Sequence, residues 1–383
     1  MKPLTGIDLN QYRTQAKELL KQLRAGDPEA LDRLQQRHPE HASLSPDQAR
    51  LADTQLVPAR EYGFSSWAKF KAYLLFRRAV QALDSGDLLG LKAALDRYPS
   101  ILQYRCHVGD PYEEGYFAGA TLLNHIAGNP GRCPLPPNIL EIAQLLIARG
   151  ARDRPPRPKY TIGLLLTSKQ ASEAGVTLPL IEMLMEASGV VVDLKNPEVL
   201  NGLIVNHASA AAETLIQRGA RMDLRHAAGL GRLEQVKRIM GGAEQDEALI
   251  PLPEDECERK ALIEEAFIRA CMLGHPEVAE YLLDQGVDPS AQANTGQTAL
   301  HYAAHMGELK TVQRLLKRKF PLEVKNMYGG TVLGQALWSA VHEPKEDHPL
   351  IIESLIAAGA KVDPAWSTGN ERIDSLLQRH RGV

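Results

Sequence analysis

Two histidines, His301 and His305, lie four residues apart in the segment HYAAH. On a helix this spacing puts both imidazoles on one face, where a pair of histidines can bind a metal ion. Zinc peptidases with the pattern H-E-x-x-H place a glutamate between the histidines as the general base. Here a tyrosine and two alanines fill that interval. We therefore expect no metal site at this position, and we interpret His305 as a contact residue at the end of its helix.

A second group of reactive side chains lies in an irregular part of the sequence. Cys106, His107 and His125 occur within about twenty residues, together with several acidic residues. Such a group could supply a nucleophile and its base, or a metal site. No spacing within it is diagnostic, and the stretch DPYEEGY is polar and rich in turn residues, which is typical of a surface loop. The alternative function is therefore an enzyme or a small-ligand or metal-binding protein with a site in residues 100–215. Its candidate residues are His107, His125, Asn129 and His207.

Nucleotide and nucleic-acid binding are not expected. The glycines of GRLEQVK and GHPEVAE precede helices, but neither belongs to a phosphate-binding pattern that follows a strand. The basic residues between Lys310 and Lys319 have helical spacing and are typical of a solvated helix face. The net charge of −3 provides no general attraction to nucleic acid or to an anionic membrane.

The sequence also indicates a cytoplasmic protein. No stretch approaches the roughly 18 apolar residues of a membrane span, and the N-terminus lacks the apolar core of a signal peptide. The four cysteines show no C-x-x-C spacing, so reduced thiols are the simplest interpretation. We expect no cofactor and no membrane partner.

The elements that position these residues follow from a repeat. Thr298 and Thr331 each begin a Thr-x-Leu stretch and are 33 residues apart, as are Gly274 and Gly307. This is the period of an ankyrin repeat, and the start TALH closely resembles the T-P-L-H signature of that family. The resemblance implies a β-turn and two helices per repeat, with a structural hydrogen bond from His301 to a neighbouring turn. We therefore predict an all-α ankyrin-repeat solenoid.

The 383 residues divide into two predicted parts. Residues 1–78 are predicted to form a small N-terminal helical bundle of about four short helices, with a core that contains Phe64, Trp67, Phe70 and Tyr73. Residues 79–383 are predicted to form the solenoid, with inserts, about seven or eight units and a capping helix at the C-terminal end. Only the last three units are close to the repeat pattern.

Several segments resemble a group of bacterial ankyrin-repeat proteins that also begin with a short helical segment. These are REYGFSSWAKFKAYL, ATLLNHIAGNP, TSKQASEAGV, RHAAGLGRLEQV and GGTVLGQALW. The resemblance extends over nearly the whole chain and implies membership of that group. It implies no particular activity and transfers no catalytic residue.

The predicted binding surface in such an array is its concave groove, which is lined by the turns and by the ends of the inner helices. Aromatic, histidine and methionine residues are enriched at the positions that match this groove, and such residues often anchor a partner. The predicted binding residues are Met272, Asn294, Thr295, Gln297, His305, Met306, Met327, Tyr328, Trp338 and Ser339.

We therefore predict a cytoplasmic protein–protein interaction module, or scaffold, that binds an unidentified protein partner through the concave groove. Stacked helix pairs form a curved slab that has no deep preformed pocket by default. This argues for recognition of a macromolecule over an enzyme. The sequence indicates no oligomeric state.

Overall fold

The computed structural model describes residues 6–38, 46–105, 119–128, 133–153, 160–189, 196–242, 246–363 and 365–380. These residues form helices joined by turns, with two isolated β-bridges, Met222 to Leu249 and Gln292 to Thr298. The chain divides into two compact units, Met1–Val191 and Val192–Val383. Across the described ranges, every helix is too short or too polar to cross a membrane.

Unit 1 contains nine α-helices in its described part. They are α1 (Leu9–Arg24), α2 (Pro28–Arg37), α3 (Leu51–Glu61), α4 (Trp67–Asp84), α5 (Leu88–Arg97), α6 (Ile139–Ala148), α7 (Tyr160–Leu166), α8 (Lys169–Glu173) and α9 (Thr177–Ser188). Short 3₁₀ turns at Pro46–Gln48, Pro99–Gln103 and Leu123–Ala127 connect some of them.

Polar side chains fix the starts of the first helices. Asp8 accepts a hydrogen bond from the backbone N–H of Asn10, and Asp27, directly before the proline that begins α2, accepts one from Glu29. Both side chains satisfy N–H groups that a helix leaves unpaired in its first turn.

An aromatic cluster closes the core of the first four helices. The ring of Phe70 lies 5.0 Å from that of Tyr12, 5.5 Å from that of Tyr62 and 5.3 Å from that of Phe64, measured between centroids. Phe64 also lies 4.9 Å from Tyr73. All five side chains are buried. Of the predicted core residues, Phe64, Phe70 and Tyr73 are therefore in this core, whereas Trp67 is only partly buried and lies 5.9 Å from Phe70.

Helix α4 is continuous across the predicted boundary between residues 78 and 79. It packs both on α3 and on α5. A division at that point stays a prediction, because one helix belongs to both sides of it.

Unit 2 contains eleven α-helices in its described part. They are α10 (Glu198–Val205), α11 (Ser209–Gln217), α12 (Leu224–Gly229), α13 (Leu233–Met240), α14 (Glu256–Met272), α15 (Pro276–Asp284), α16 (Ala299–Met306), α17 (Leu309–Lys317), α18 (Val332–His342), α19 (His348–Ala357) and α20 (Glu371–Arg379).

From α12 to α19 these helices alternate between an inner and an outer row. The inner helices α12, α14, α16 and α18 pack on one another in sequence order, and the outer helices α13, α15, α17 and α19 do the same. Helix α20 packs on α19 and buries Ile373, Leu376 and Leu377, as expected of a capping helix.

The repeat signature begins the inner helix α16. Thr298 precedes the helix, and its hydroxyl lies 2.8 Å from Nδ1 of the buried His301. Nε2 of His301 lies 3.3 Å from the backbone carbonyl of Gly330 in the next turn. Because a carbonyl only accepts, Nε2 carries the proton. The hydrogen bond between neighbouring turns that the family resemblance implies is therefore present.

Asp223 caps the N-terminus of the inner helix α12 and is buried. Its carboxylate accepts hydrogen bonds from the backbone N–H groups of Arg225 and His226 and from the Arg225 guanidinium, at 2.9, 3.2 and 2.7 Å. Nδ1 of His226 lies 2.6 Å from the same carboxylate. Burial opposes the charge of Asp223, but the hydrogen bonds from His226 and Arg225 outweigh it and hold its pKa well below the ordinary value.

His226 and His301 occupy matching positions but differ in their second nitrogen. Nε2 of His226 is buried and has no hydrogen-bond partner among the described residues, whereas Nε2 of His301 reaches the next turn. After α13 the chain runs through an insert into α14, which has 17 residues where α16 has 8.

Candidate functional site

A cavity of about 830 Å³ lies between the inner helix α18, the turn that precedes it and the loop before α20. We call the turn at residues 325–330 the finger, and the cavity the finger pocket. The finger pocket is lined by Gln297, Asn326, Tyr328, Gly329, Gly330, Gly334, Gln335, Leu337, Trp338, Val341, His342, Trp366, Ser367 and Thr368.

Large hydrophobic side chains are unusually exposed beside this cavity. In the described part of the chain six large hydrophobic residues are at least 40% exposed, and four of them lie on the finger or on α18. Their exposed fractions are 65% for Met327, 80% for Tyr328, 47% for Trp338 and 44% for Val341. A cluster of such residues on a soluble protein commonly marks an interaction surface.

Three amide side chains hold the finger against the inner helices. The Gln335 side-chain oxygen accepts hydrogen bonds from the amides of Gln297 (3.2 Å) and Asn326 (3.3 Å). Asn326 in turn accepts the backbone N–H groups of Tyr328 (3.0 Å) and Gly330 (2.9 Å). These hydrogen bonds fix the shape of the finger, so Tyr328 is presented on a rigid turn.

The finger also stacks tightly on the preceding turn, which contains Thr295 and Gly296. The backbone N–H of Met327 donates to the Thr295 carbonyl at 3.0 Å. Gly296 has a φ of +70°, and a Cβ atom added there would lie 3.1 Å from the Met327 nitrogen. Glycine is required at this position by its backbone conformation and by the neighbouring backbone.

We expect Gly296→Ala to lower the free energy of unfolding by about 1–2 kcal/mol through left-handed strain, with a further loss from the contact with Met327. Gly329→Ala is the matched control, because Gly329 has a φ of +79° in the same kind of turn but no atom near the added Cβ. Urea unfolding of both variants measures the difference. Equal losses would show that the close stacking of the two turns does not matter.

His305 and Trp338 are positioned together on α16 and α18. Nδ1 of His305 lies 2.7 Å from the Ser339 hydroxyl, and its Nε2 lies 3.7 Å from the Glu343 carboxylate. The Trp338 ring lies 6.2 Å from that of His305 and is stacked on that of His342 at 4.6 Å. The two imidazoles hold the indole in place while leaving about half of it exposed.

The Ser339, His305 and Glu343 side chains follow one another as in the catalytic triad of a hydrolase. The serine, however, is not accessible to a substrate. Ser339 is fully buried, and its hydroxyl donates to the Gln335 carbonyl at 2.9 Å. A nucleophilic serine must instead present its oxygen to a substrate. Ser339 therefore supports His305 from beneath, and a nucleophilic role has no geometric basis here.

Trp366 completes the finger pocket and was missed by the sequence reasoning. Its loop is fixed by Asp374, whose carboxylate accepts hydrogen bonds from Thr368 N–H (2.7 Å), the Thr368 hydroxyl (2.8 Å) and the Ser367 hydroxyl (2.9 Å). These hydrogen bonds lower the pKa of Asp374. The available signal was the triplet VDP at residues 362–364, which repeats the VDP that precedes the turn before Thr298.

The other predicted binding residues are distributed along the same row of turns and helix ends. Gln297, Tyr328 and Trp338 line the finger pocket, and Met327 lies on the exposed finger. Asn294 and Thr295 belong to the preceding turn, where the Thr295 hydroxyl lies 3.1 Å from that of Tyr302. Met272 and Met306 end α14 and α16 and are partly buried.

The four candidate residues of the alternative site are not brought together in the described part of the structure. His107 and Asn129 lie outside the described residues. His125, in unit 1, is fully buried, with its ring 5.5 Å from that of Phe76 and its Nδ1 donating to the Thr121 carbonyl at 2.7 Å. His207, in unit 2, is exposed in the loop after α10 with a φ of +58°. Catalysis or ligand binding by these residues stays a prediction.

Two further observations concern the alternative function as an enzyme or a small-ligand or metal-binding protein. A cavity beside Asp153 in unit 1 has a volume of about 10 Å³, which is at most enough for one water molecule. Within the described ranges, no three His, Cys, Asp or Glu side chains are grouped so that they could hold a metal ion.

The basic stretch on α17 pairs with acids of the preceding outer helix. Arg314 donates to Glu280 at 2.7 Å and to Glu277 at 3.0 Å, and Arg318 pairs with Asp284. These ion pairs join the outer helices of adjacent repeats. They support the interpretation of this face as a solvated structural surface.

Comparison with known proteins identifies the repeats. The family model for ankyrin repeats, which comprises three copies, matches residues 224–326 and 267–364. The chain therefore contains ankyrin repeats, and the prediction of an all-α ankyrin-repeat solenoid is confirmed. Ankyrin repeats generally mediate protein–protein interaction.

Two curated proteins share part of this sequence. An ankyrin repeat protein of Acanthamoeba polyphaga mimivirus is 37% identical over 70 residues, which are 18% of this chain and 17% of that protein. The Mus musculus protein fem-1 homolog A-like is 39% identical over 64 residues, which are 17% of this chain and 10% of that protein. The matched segment thus spans less than a fifth of either relative. These relatives are viral and murine, so a bacterial origin stays a prediction.

Proposed function

We propose that the chain is a cytoplasmic protein–protein interaction module that binds a protein partner through the concave groove of its ankyrin repeats. The observation that supports this most directly is the finger pocket, with Tyr328 and Trp338 presented on a rigid turn and a rigid helix. The presence of ankyrin repeats at residues 224–364 supports the same class of function.

The exposed side chains of the groove are not needed for the repeat fold. The core of this repeat is already filled by buried residues of α18, among them Leu333 and Ala336. Trp338 and Tyr328 instead keep much of their apolar surface in water. Burial of such surface by a partner would release roughly 1.5–3 kcal/mol for a large side chain.

The ordered arrangement of Trp338 and the finger also lowers the entropic cost of binding a partner. Trp338 is stacked on His342, and the finger is tied to α18 through Gln335. Side chains that are already ordered lose little conformational entropy when a partner covers them. Aromatic residues of this kind are frequent among the few residues that dominate binding energy.

We expect Trp338→Ala and Tyr328→Ala each to weaken partner binding by more than about 1 kcal/mol, with the unfolding midpoint unchanged. Affinity capture from the native host, with quantitative mass spectrometry and then calorimetry on the captured protein, measures the effect. Leu89→Ala is the matched control, because Leu89 is equally exposed, at 80%, but lies in unit 1.

The proposal would be wrong if both groove variants captured the wild-type set of proteins at wild-type strength. It would also be wrong if Leu89→Ala reduced capture while the groove variants did not.

A further inference from the structure

The finger pocket has an uncharged lining. None of the residues around it is a lysine, arginine, aspartate or glutamate, and His342 is its one imidazole. Three aromatic rings, those of Tyr328, Trp338 and Trp366, supply much of its wall. We infer, resting on the proposed function, that the partner inserts a large uncharged hydrophobic side chain, carried on a protruding linear segment, into this pocket.

The shape of the pocket favours a protruding segment over a flat protein face. Its volume of about 830 Å³ is within the range of sites that enclose small ligands. Gly329, Gly330 and Gly334 lie in the lining and contribute no side chain that would fill it. A flat surface would leave much of this cavity unfilled, whereas a projecting side chain together with the neighbouring residues of a linear segment can occupy it.

The three amide side chains of the pocket are already paired with one another. The amides of Gln297 and Asn326 donate to Gln335, and Asn326 accepts the N–H groups of its own turn. An incoming hydrophobic side chain therefore leaves these buried hydrogen bonds intact. The favourable contribution comes from apolar surface that both partners remove from water.

Charged side chains fit less well. A partner carboxylate would lose its hydration without a lysine or arginine in the lining to replace it. A partner ammonium would find no carboxylate among the lining residues to pair with. The Asp374 carboxylate, which accepts hydrogen bonds from the lining residues Ser367 and Thr368, is already engaged in holding their loop.

The test uses linear peptides. A phage library of random peptides is selected on the full-length protein, and the best sequence is synthesised with Phe, Leu, Ala, Lys or Glu at its most restricted position. We expect that position to require a large hydrophobic residue. Ala should weaken binding at least about tenfold, measured by calorimetry, and Lys and Glu at least as much.

A pocket-filling variant links this binding to the finger pocket. Gly334 lies in the first turn of α18, and a Cβ added there has only ordinary contacts, 3.6 Å to the Thr331 hydroxyl and 3.9 Å to the Trp366 ring. We expect Gly334→Leu to project its side chain into the cavity and to weaken peptide binding at least about tenfold. The unfolding midpoint should not fall, because leucine favours a helix more than glycine does. Trp338→Phe, which keeps a ring, should retain most of the affinity.

The possible outcomes separate this inference from the proposed function. If the selected peptides require Lys or Arg at the restricted position, the pocket binds a cation and the inference is wrong. If no selected peptide depends on Gly334 or Trp338 while capture of a host protein still does, the groove binds a partner but not through such an anchor. If neither depends on them, the proposed function fails as well.

Discussion

Replacing Asp223 with alanine is expected to lower the free energy of unfolding by about 3–5 kcal/mol, the range seen when one member of a buried ion pair is removed. The carboxylate caps α12 through two backbone N–H groups and pairs with both His226 and Arg225. Without it the helix loses its cap, and the fully buried His226 loses the carboxylate that lies 2.6 Å from its Nδ1. Urea unfolding followed by circular dichroism measures the loss.

Asp284→Ala is the matched control for that prediction. Asp284 also pairs with an arginine, Arg318, but both side chains are largely exposed. Exposed pairs of this kind contribute less than about 1 kcal/mol. If the two variants lost the same small amount, the Asp223 cluster would not be a stabilising feature of the repeat.

Unit 1 is expected to lose roughly 3 kcal/mol of stability as the pH falls from about 6.5 to about 4. Burial lowers the pKa of His125 from 6.5 to about 4, although the hydrogen bond to the Thr121 carbonyl opposes the shift. Between these values the unfolded chain binds a proton that the folded chain does not. The stabilisation is therefore complete above pH 6.5 and disappears as the pH approaches 4.

Hydrogen exchange of the amides in residues 119–128, measured by mass spectrometry and corrected for the intrinsic rate at each pH, tests this prediction. In His125→Asn the shorter amide can still donate to Thr121, but it has no proton to gain. Its stability should be lower at pH 7 because the contact with Phe76 is lost, and nearly constant down to pH 4.5. If the stability of His125→Asn depended on pH as strongly as that of the wild type, groups other than His125 would cause the loss at low pH.

The regular repeats were predictable because their signals are local. The threonine caps at Thr298 and Thr331, and the left-handed glycine Gly307 after α16, all follow from short-range backbone requirements. The aromatic core around Phe70 was also predictable, since its helices are amphipathic and adjacent in sequence. These features specify helices and caps without reference to distant parts of the chain.

The features that were missed depend on long-range packing. His125 looked like a catalytic candidate, yet its surroundings include Phe76, which is 49 residues earlier in the chain. Ser339 looked like a groove contact, but it is buried beneath His305, 34 residues away. Nothing in the residues next to these positions indicates which side chains will cover them.

The candidate site was predicted in part. The repeat period predicted Tyr328 and Trp338 as binding residues, and both line the finger pocket. It did not predict the finger pocket or Trp366, since the loop before α20 departs from the 33-residue period and is fixed by Asp374 instead. The uncharged character of the pocket became apparent only when these residues were found together.

The most direct test of partner binding through the groove is site-specific photo-crosslinking in the native host. The photo-reactive amino acid benzoylphenylalanine is placed at Met327, which is exposed on the finger beside the pocket, or at Leu89, which is at least as exposed and lies in unit 1. We predict that a host protein is crosslinked from position 327 and not from position 89, and that Trp338→Ala abolishes the crosslink. Crosslinks from position 89 alone, or crosslinks from position 327 that persist in Trp338→Ala, would contradict binding through the groove.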